Sequence, residues 1–213
     1  SMHGGENADM GGIFDELFRG GGGGGGFSSG FGRRGAAKGA DRAYSLKVPF
    51  ADAATLAPQR VALPDGALDL KLPAGVETGT QMRLAGKGEP GAAGPGDALV
   101  TIEVQPHRFF TREGDDIRLD LPISLAEAVT GGQVRAPTVD KPVMLTIPKG
   151  ASSGRVLRLK GKGFHRKGGG PNGARGDQLV TLMVHVPADD AALERFVADW
   201  AGAGGNPRAA MGV

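Results

Sequence analysis

The sequence predicts an all-β dominated protein, built as two tandem homologous small β-sandwich domains with short helices, plus a C-terminal amphipathic helix. Three observations carry that prediction. The first is an internal repeat: residues 72–88 read LPAGVETGTQMRLAGKG and residues 147–163 read IPKGASSGRVLRLKGKG, while GDALVTIEV at 96–104 is answered by GDQLVTLMV at 176–184. Glycine richness alone does not align Pro, Arg, Lys, Asp and the apolar positions as well, so the chain holds two copies of one unit. The second is period-two alternation of apolar residues, broken every few positions by Gly and Pro, which marks short strands and tight turns. The third is a single sustained helical stripe, close to the C-terminus.

Residues 1–43 build no core. They include the unbroken glycine run 20–26, and glycine costs more backbone entropy to order than any other residue. The segment reads as a flexible linker with apolar stickers at Phe27 and Phe31. One island breaks it, where Ile13, Phe14, Leu17 and Phe18 share one face of a short helix over 13–18. Two readings of the island stand, a docking helix and residual stickiness in the linker.

The first unit, residues 44–116, opens with Tyr44, Leu46 and Val48 on one face of a strand and Ser45 and Lys47 on the other. Val61 and Leu63 mark a second strand, and Leu68, Leu70 and Leu72 a third after the turn Pro64-Asp65-Gly66. Met82 and Leu84 supply a fourth, residues 99–104 a fifth. The second unit, residues 117–187, follows the same plan. There Ser124 and Glu127 have capping-box spacing and Gly131-Gly132 stops the turn, so a short helix links its first two strands. The first unit offers only Asp52 as a cap, which predicts a shorter or looser helix. Residues 165–175 are an insertion rich in Gly and basic groups, expected as a mobile hairpin loop. In the tail, 188–213, Asp189 and Asp190 suit a helix N-terminus, and Leu193, Phe196, Val197 and Trp200 form the stripe. Such a stripe packs on its own sheet or on a twin from a second chain, and its place at the chain end favours the twin.

The net charge of +2 conceals an uneven distribution, with the second repeat at +7. Arg155, Arg158, Lys160, Lys162, Arg166 and Lys167 supply most of that excess. They stand either as a polyanion contact or as a solvated face without a partner. With no cysteine in the chain, disulfides, thiolate metal sites and Cys nucleophiles are excluded. The four histidines, His3, His107, His165 and His185, lie far apart without ligand spacing, so no metal and no cofactor are expected. Neither a nucleophile elbow nor a Walker loop is present, and the carboxylates are scattered over turns and strand faces, so no catalytic residues are assigned and a non-enzymatic protein is expected. No apolar run approaches the roughly 20 residues of a membrane span and no signal peptide opens the chain, which makes a cytoplasmic protein the expectation.

A Gly/Phe linker followed by LPAG, RLAGKGEPG and GD, then HRFFTREGDDI and a second copy of the unit, resembles the DnaJ (heat-shock protein 40) family of co-chaperones. Residues 86–91, 107–116, 124–132 and 147–163 carry the likeness. None of the histidines is followed by Pro, so the J-domain tripeptide is absent, and without cysteine repeats the chain is similar to the zinc-free class B type. The resemblance implies that the first C-terminal domain holds unfolded polypeptide clients in a shallow apolar groove. It further implies that the second acts as a spacer, that a V-shaped homodimer forms at the C-terminal end, and that the full-length protein delivers clients to a DnaK-type ATPase. Carried over residue by residue, the groove falls on Leu46, Val48, Val61, Leu63 and Val100, and dimerisation on the stripe of the last helix. Each of the five groove positions also reads as plain core. Val48→Asp or Leu63→Asp is expected to cut client binding without unfolding the protein. The alternative reading is a nucleic-acid-binding architectural protein that uses the basic second unit, and a third is a dimeric scaffold without a working groove.

Overall fold

The computed structural model describes residues 35–202 and 205–213. The 13–18 island and the linker stickers Phe27 and Phe31 lie outside the described residues. Contacts divide the chain into residues 1–36 and 37–213, and the second part holds every element described below.

The first unit contains β1 (Arg42–Val48), α1 (Phe50–Thr55), β2 (Gln59–Leu63), β3 (Gly66–Leu70), β4 (Gln81–Leu84) and β5 (Ala98–Val104). The second contains β6 (Phe110–Glu113), β7 (Asp116–Ser124), α2 (Leu125–Thr130), β8 (Gly132–Ala136), β9 (Val143–Ile147), β10 (Val156–Leu159) and β11 (Gln178–His185). Helix α3 (Ala191–Asp199) and a 3-10 turn (Ala209–Met211) follow. Each unit is a small sandwich in which a β-hairpin faces a sheet. The sheets run β1-β5-β4 and β10-β11-β7-β6, and the hairpins are β2-β3 and β8-β9. In both sheets the first long strand pairs in parallel with the last, Leu46 opposite Ile102 and Leu121 opposite Leu182. Alternation then sends Val48, Val100 and Ile102, or Ile117, Ile123, Val180 and Leu182, inward to a core closed by Val61, Leu70, Leu145 and Ile147 from the hairpins. Among the described residues no helix is long and apolar enough to cross a membrane.

The repeated residues hold one turn in two copies. Asp97 accepts the Gly86 N–H at 2.9 Å and pairs with Arg83, while Asp177 accepts the Gly161 N–H at 2.8 Å with Arg158 at 3.6 Å. The amides of Asp97 and Asp177 donate in turn to Asp41 and Asp116, at 2.7 and 2.8 Å. A Cβ on Gly96 or Gly176 would lie 2.2 Å from the carbonyl oxygen of Ala40 or Asp115, so the backbone passes where no side chain fits. The copies differ in burial. The Asp97 side chain is 3% exposed and the Asp177 side chain 25%. The Gly86 N–H, and after it Arg83, hold the Asp97 carboxyl down to about 2.

Three sequence expectations change. Helix α1 is as long as α2, six residues each, although it starts after Pro49 with no side-chain cap. Burial of Phe50, Ala53 and Ala54 supplies what the missing cap does not. The capping box of α2 is present, Ser124 Oγ accepting the Glu127 N–H at 3.0 Å and Glu127 the Ser124 N–H at 2.8 Å. Residues 110–113, read with the first unit, form strand β6 on the outer edge of β7. The 165–175 insertion is a hydrogen-bonded hairpin, bridged at His165 and Arg175, whose Lys167 backbone rests against Gly75.

Candidate functional site

Of the five residues proposed for the apolar groove, Val48, Val61 and Val100 are core, at 0%, 4% and 0% exposure. Leu46 and Leu63 are half-buried at the open end of the first sandwich, together with Tyr44, Met82 and Leu84. Alternating register explains the grouping. Tyr44 lies opposite Val100, Leu46 opposite Ile102, and Met82 opposite Val100 from the other side, so all share the inner face. They form a mouth lined by aliphatic side chains and one tyrosine, suited to weak, adaptable apolar contact and to no covalent chemistry.

In the second unit the positions of Tyr44, Leu46 and Leu63 are covered, while Leu157 and Leu159, the counterparts of Met82 and Leu84, stay half-buried. Leu119 and Leu121, the counterparts of Tyr44 and Leu46, are buried. The hairpin register places Ala136 where the first unit has Val61 and Thr138 where it has Leu63. Thr138 is buried and bonds the Lys141 carbonyl at 2.7 Å. Its loop is tied down by Gln178 Nε2 donating to the Pro137 carbonyl at 2.8 Å, by Arg175 on Asp140 at 3.0 Å and by Lys162 on Asp140 at 3.6 Å. His165 is buried under the same hairpin, and its burial, then Arg175, push it below the ordinary histidine value.

The junction between the units is a set of contacts that the sequence reading missed. Phe164 stands edge-on to Phe50 with ring centroids 5.2 Å apart, and the Arg112 guanidinium lies 3.8 Å over the Phe164 ring. Arg112 also donates to the Val76 carbonyl at 2.7 Å and pairs with Glu77 at 3.8 Å. The repeat held the signal. Phe164 follows the glycine that ends the second GKG, where the first unit carries the exposed Glu89, and an unmatched aromatic inside a matched motif marks a contact peculiar to one copy.

The remaining candidates are at the surface. Arg158 and Lys162 are paired with Asp177 and Asp140, whereas Arg155, Lys160, Arg166 and Lys167 carry no ion pair among the described residues. No residue of α3 is buried. Phe196 and Trp200 stack 6.2 Å apart, exposed together with Val197, and Leu193 is half-buried, so the stripe is not covered by the protein's own sheets. A shallow apolar groove lies at the far end of the second unit, lined by Leu125, Ala128, Val129, Ala151, Ser153 and Val184. In the first unit the corresponding place, with Phe50, Thr78 and Val104, is the one that receives Arg112.

Residues 36–187 match the family described as DnaJ C terminal domain. Chaperone protein DnaJ 1 of Mycobacterium leprae (strain TN) is 41% identical over 152 residues, covering 68% of this chain and 38% of that protein. Chaperone protein DnaJ of Geobacillus thermodenitrificans (strain NG80-2) is 46% identical over 122 residues, 56% of this chain and 31% of that protein. Chaperone protein DnaJ 1 of Streptomyces coelicolor (strain ATCC BAA-471 / A3(2) / M145) is 45% identical over 125 residues, 57% and 30% respectively. The chain thus spans between about 30% and 38% of the length of these relatives. With a match over most of its length and the repeated motifs accounted for in two copies of one sandwich, the chain belongs to the DnaJ C-terminal domain family.

Proposed function

We propose that this chain is the polypeptide-binding part of a chaperone, and that it holds exposed apolar segments of non-native proteins at the mouth of the first unit. The observation that carries this is the contrast between the two mouths. Tyr44, Leu46, Leu63, Met82 and Leu84 stay half-buried in the first unit, while the second covers the counterparts of Tyr44, Leu46 and Leu63 with its own residues. Half-covered aliphatic surface gains free energy when an apolar chain covers it, at about 25 cal/mol per Å². The whole protein then passes its clients to a DnaK-type ATPase. A homodimer completes the design: the exposed α3 stripe of one copy seats on the apolar groove at 125–129 of the other, and two mouths per assembly supply avidity.

The test is fluorescence anisotropy of a labelled, permanently unfolded polypeptide at low and high salt, with duplex and single-stranded nucleic acid in parallel. Saturable binding that survives salt is the expected result. Binding confined to nucleic acid and lost at high salt overturns it, and moves the function to the unpaired Arg155, Lys160, Arg166 and Lys167.

A further inference from the structure

Two asparagines lie among the described residues, and their surroundings are opposite. Asn206 is held at both ends of its amide: Nδ2 donates to the Val213 carbonyl at 2.7 Å, and Oδ1 accepts the Arg208 N–H at 3.0 Å. The residue that follows it, Pro207, has no N–H. Asn172 is exposed at the tip of the 165–175 hairpin, its side chain has no hydrogen bond among the described residues, and Gly173 follows it. The turn itself requires that glycine. A Cβ at position 173 would lie 2.1 Å from the carbonyl oxygen of Gly169, so the backbone leaves no room for a side chain. The Gly173 N–H is held loosely, by the Gly170 carbonyl at 3.2 Å, whereas in the stem the Arg166 N–H donates to the Ala174 carbonyl at 2.9 Å.

We propose that Asn172 is a modification site, at which this chain deamidates without an enzyme and turns a neutral hairpin tip anionic. Three features converge there. No Cβ shields the Gly173 nitrogen, no partner holds the Asn172 amide, and Arg166 and Lys167 on the facing arm carry no ion pair among the described residues. Positive charge nearby favours the deprotonated form of a group, here the backbone amide that attacks. The Gly173 nitrogen bonds to Cγ of Asn172, the Cγ–Nδ2 bond breaks, and the amide proton leaves with the side-chain nitrogen as ammonia. A five-membered succinimide remains. Water then adds to one of its two carbonyls: opening on the Cγ side gives aspartate, and opening on the main-chain side gives isoaspartate, whose backbone is longer by one methylene. The net reaction consumes one water and releases one ammonia.

The consequence reaches past the tip. The same hairpin seats its Lys167 backbone against Gly75 of the first unit, where a Cβ would lie 2.9 Å from the Lys167 Cα, and it holds Asp140 through Arg175 at 3.0 Å. A tip with an added methylene no longer fits the close pass of Gly173 over Gly169, so the isoaspartate form loosens the hairpin that rests on the first unit.

The experiment incubates the full chain in neutral and in mildly alkaline buffer, beside a synthetic peptide of residues 165–175, and follows each asparagine by mass spectrometry of fragments that resolves aspartate from isoaspartate. The expected result is a gain of about one dalton on the fragment that holds Asn172, faster at the higher pH, with Asn206 unchanged. A turn held by weak backbone bonds opens at little cost, so the rate in the folded chain is expected to lie within about tenfold of the peptide's. Asn172→Gln, which would have to close a six-membered ring, stays unmodified and serves as the aged control. Against that control, hydrogen exchange at the Arg166 amide is expected to be faster in the modified chain. A peptide that deamidates while the folded chain does not overturns the proposal, because the hairpin then protects the bond. Modification at Asn172 with unchanged exchange at Arg166 overturns the link to the hairpin's seat and leaves a change of surface charge alone.

Discussion

At one matched position the first unit carries the exposed Glu89, paired with Arg42 at 3.6 Å, and the second carries the fully buried Phe164. Around that exchange the two units agree bond for bond. The Gly88 N–H donates to the Gly96 carbonyl at 2.9 Å, the Gly163 N–H to the Gly176 carbonyl at 2.8 Å; the Val104 N–H donates to Thr78 Oγ1, the Val184 N–H to Ser153 Oγ. One framework therefore serves two ends. Its backbone turns are held constant, and the side chains and loops at the mouth decide whether the inner face is spent on the protein itself or left for something else.

The comparison is tested most severely at the position that differs most. Phe164→Ala is expected to cost about 3–5 kcal/mol, since it empties the contact with Phe50 and Arg112, whereas Glu89→Ala is expected to stay within about 0.5 kcal/mol. Urea titrations of the two variants check this, and equal losses would mean that the units are stabilised alike. At the mouth, Leu63→Asp is expected to weaken unfolded-polypeptide binding about tenfold with a small change in the urea midpoint. Val48→Asp does otherwise. It places a carboxylate at a position with no solvent exposure, so the fold is expected to go with the binding, and circular dichroism beside anisotropy separates the two cases. Ser124→Ala, which opens the capping box of α2, is expected to cost about 1 kcal/mol; α1 has no side-chain cap to lose. The smallest effect is a slope. Asp97 is held at about 2 against an ordinary 3.8. Its folded form therefore binds fewer protons than the unfolded chain in that window, and the stability it contributes is present above 3.8 and lost as pH falls toward 2. Asp97→Asn is expected to flatten that part of the stability profile in acid titration.

The architecture was legible because the residues that repeat are those the backbone requires. Gly96 and Gly176 each pass a carbonyl too closely for a Cβ, and Asp97 and Asp177 each hold a glycine amide, so any second copy of the unit must keep them. The mouth was legible only as far as alternation reaches. Val48 and Leu46 look the same on a strand, and only the neighbouring hairpin decides that one is sealed and the other half-open. Strand β6 escaped because Phe-Thr-Arg-Glu next to a turn reads as a connector until β7 gives it an edge to join. Arg112 escaped for a related reason. Its partners, Val76, Glu77 and Phe164, lie between 35 and 52 residues away in sequence, beyond the reach of any local pattern.

The parallel pairing of each unit's first and last long strands has a consequence for how such a protein grows. A chain that enters and leaves a module side by side must travel the module's whole length before it can start another. Here β1 and β5 run the same way, as do β7 and β11, so the exit of one module is already at its far end. Residues 105–109 suffice to begin the next. Duplication of the unit thus meets no topological obstacle, and a longer reach is obtained by adding whole modules in line, each with its turns intact and its mouth free to be opened or sealed by a handful of side chains.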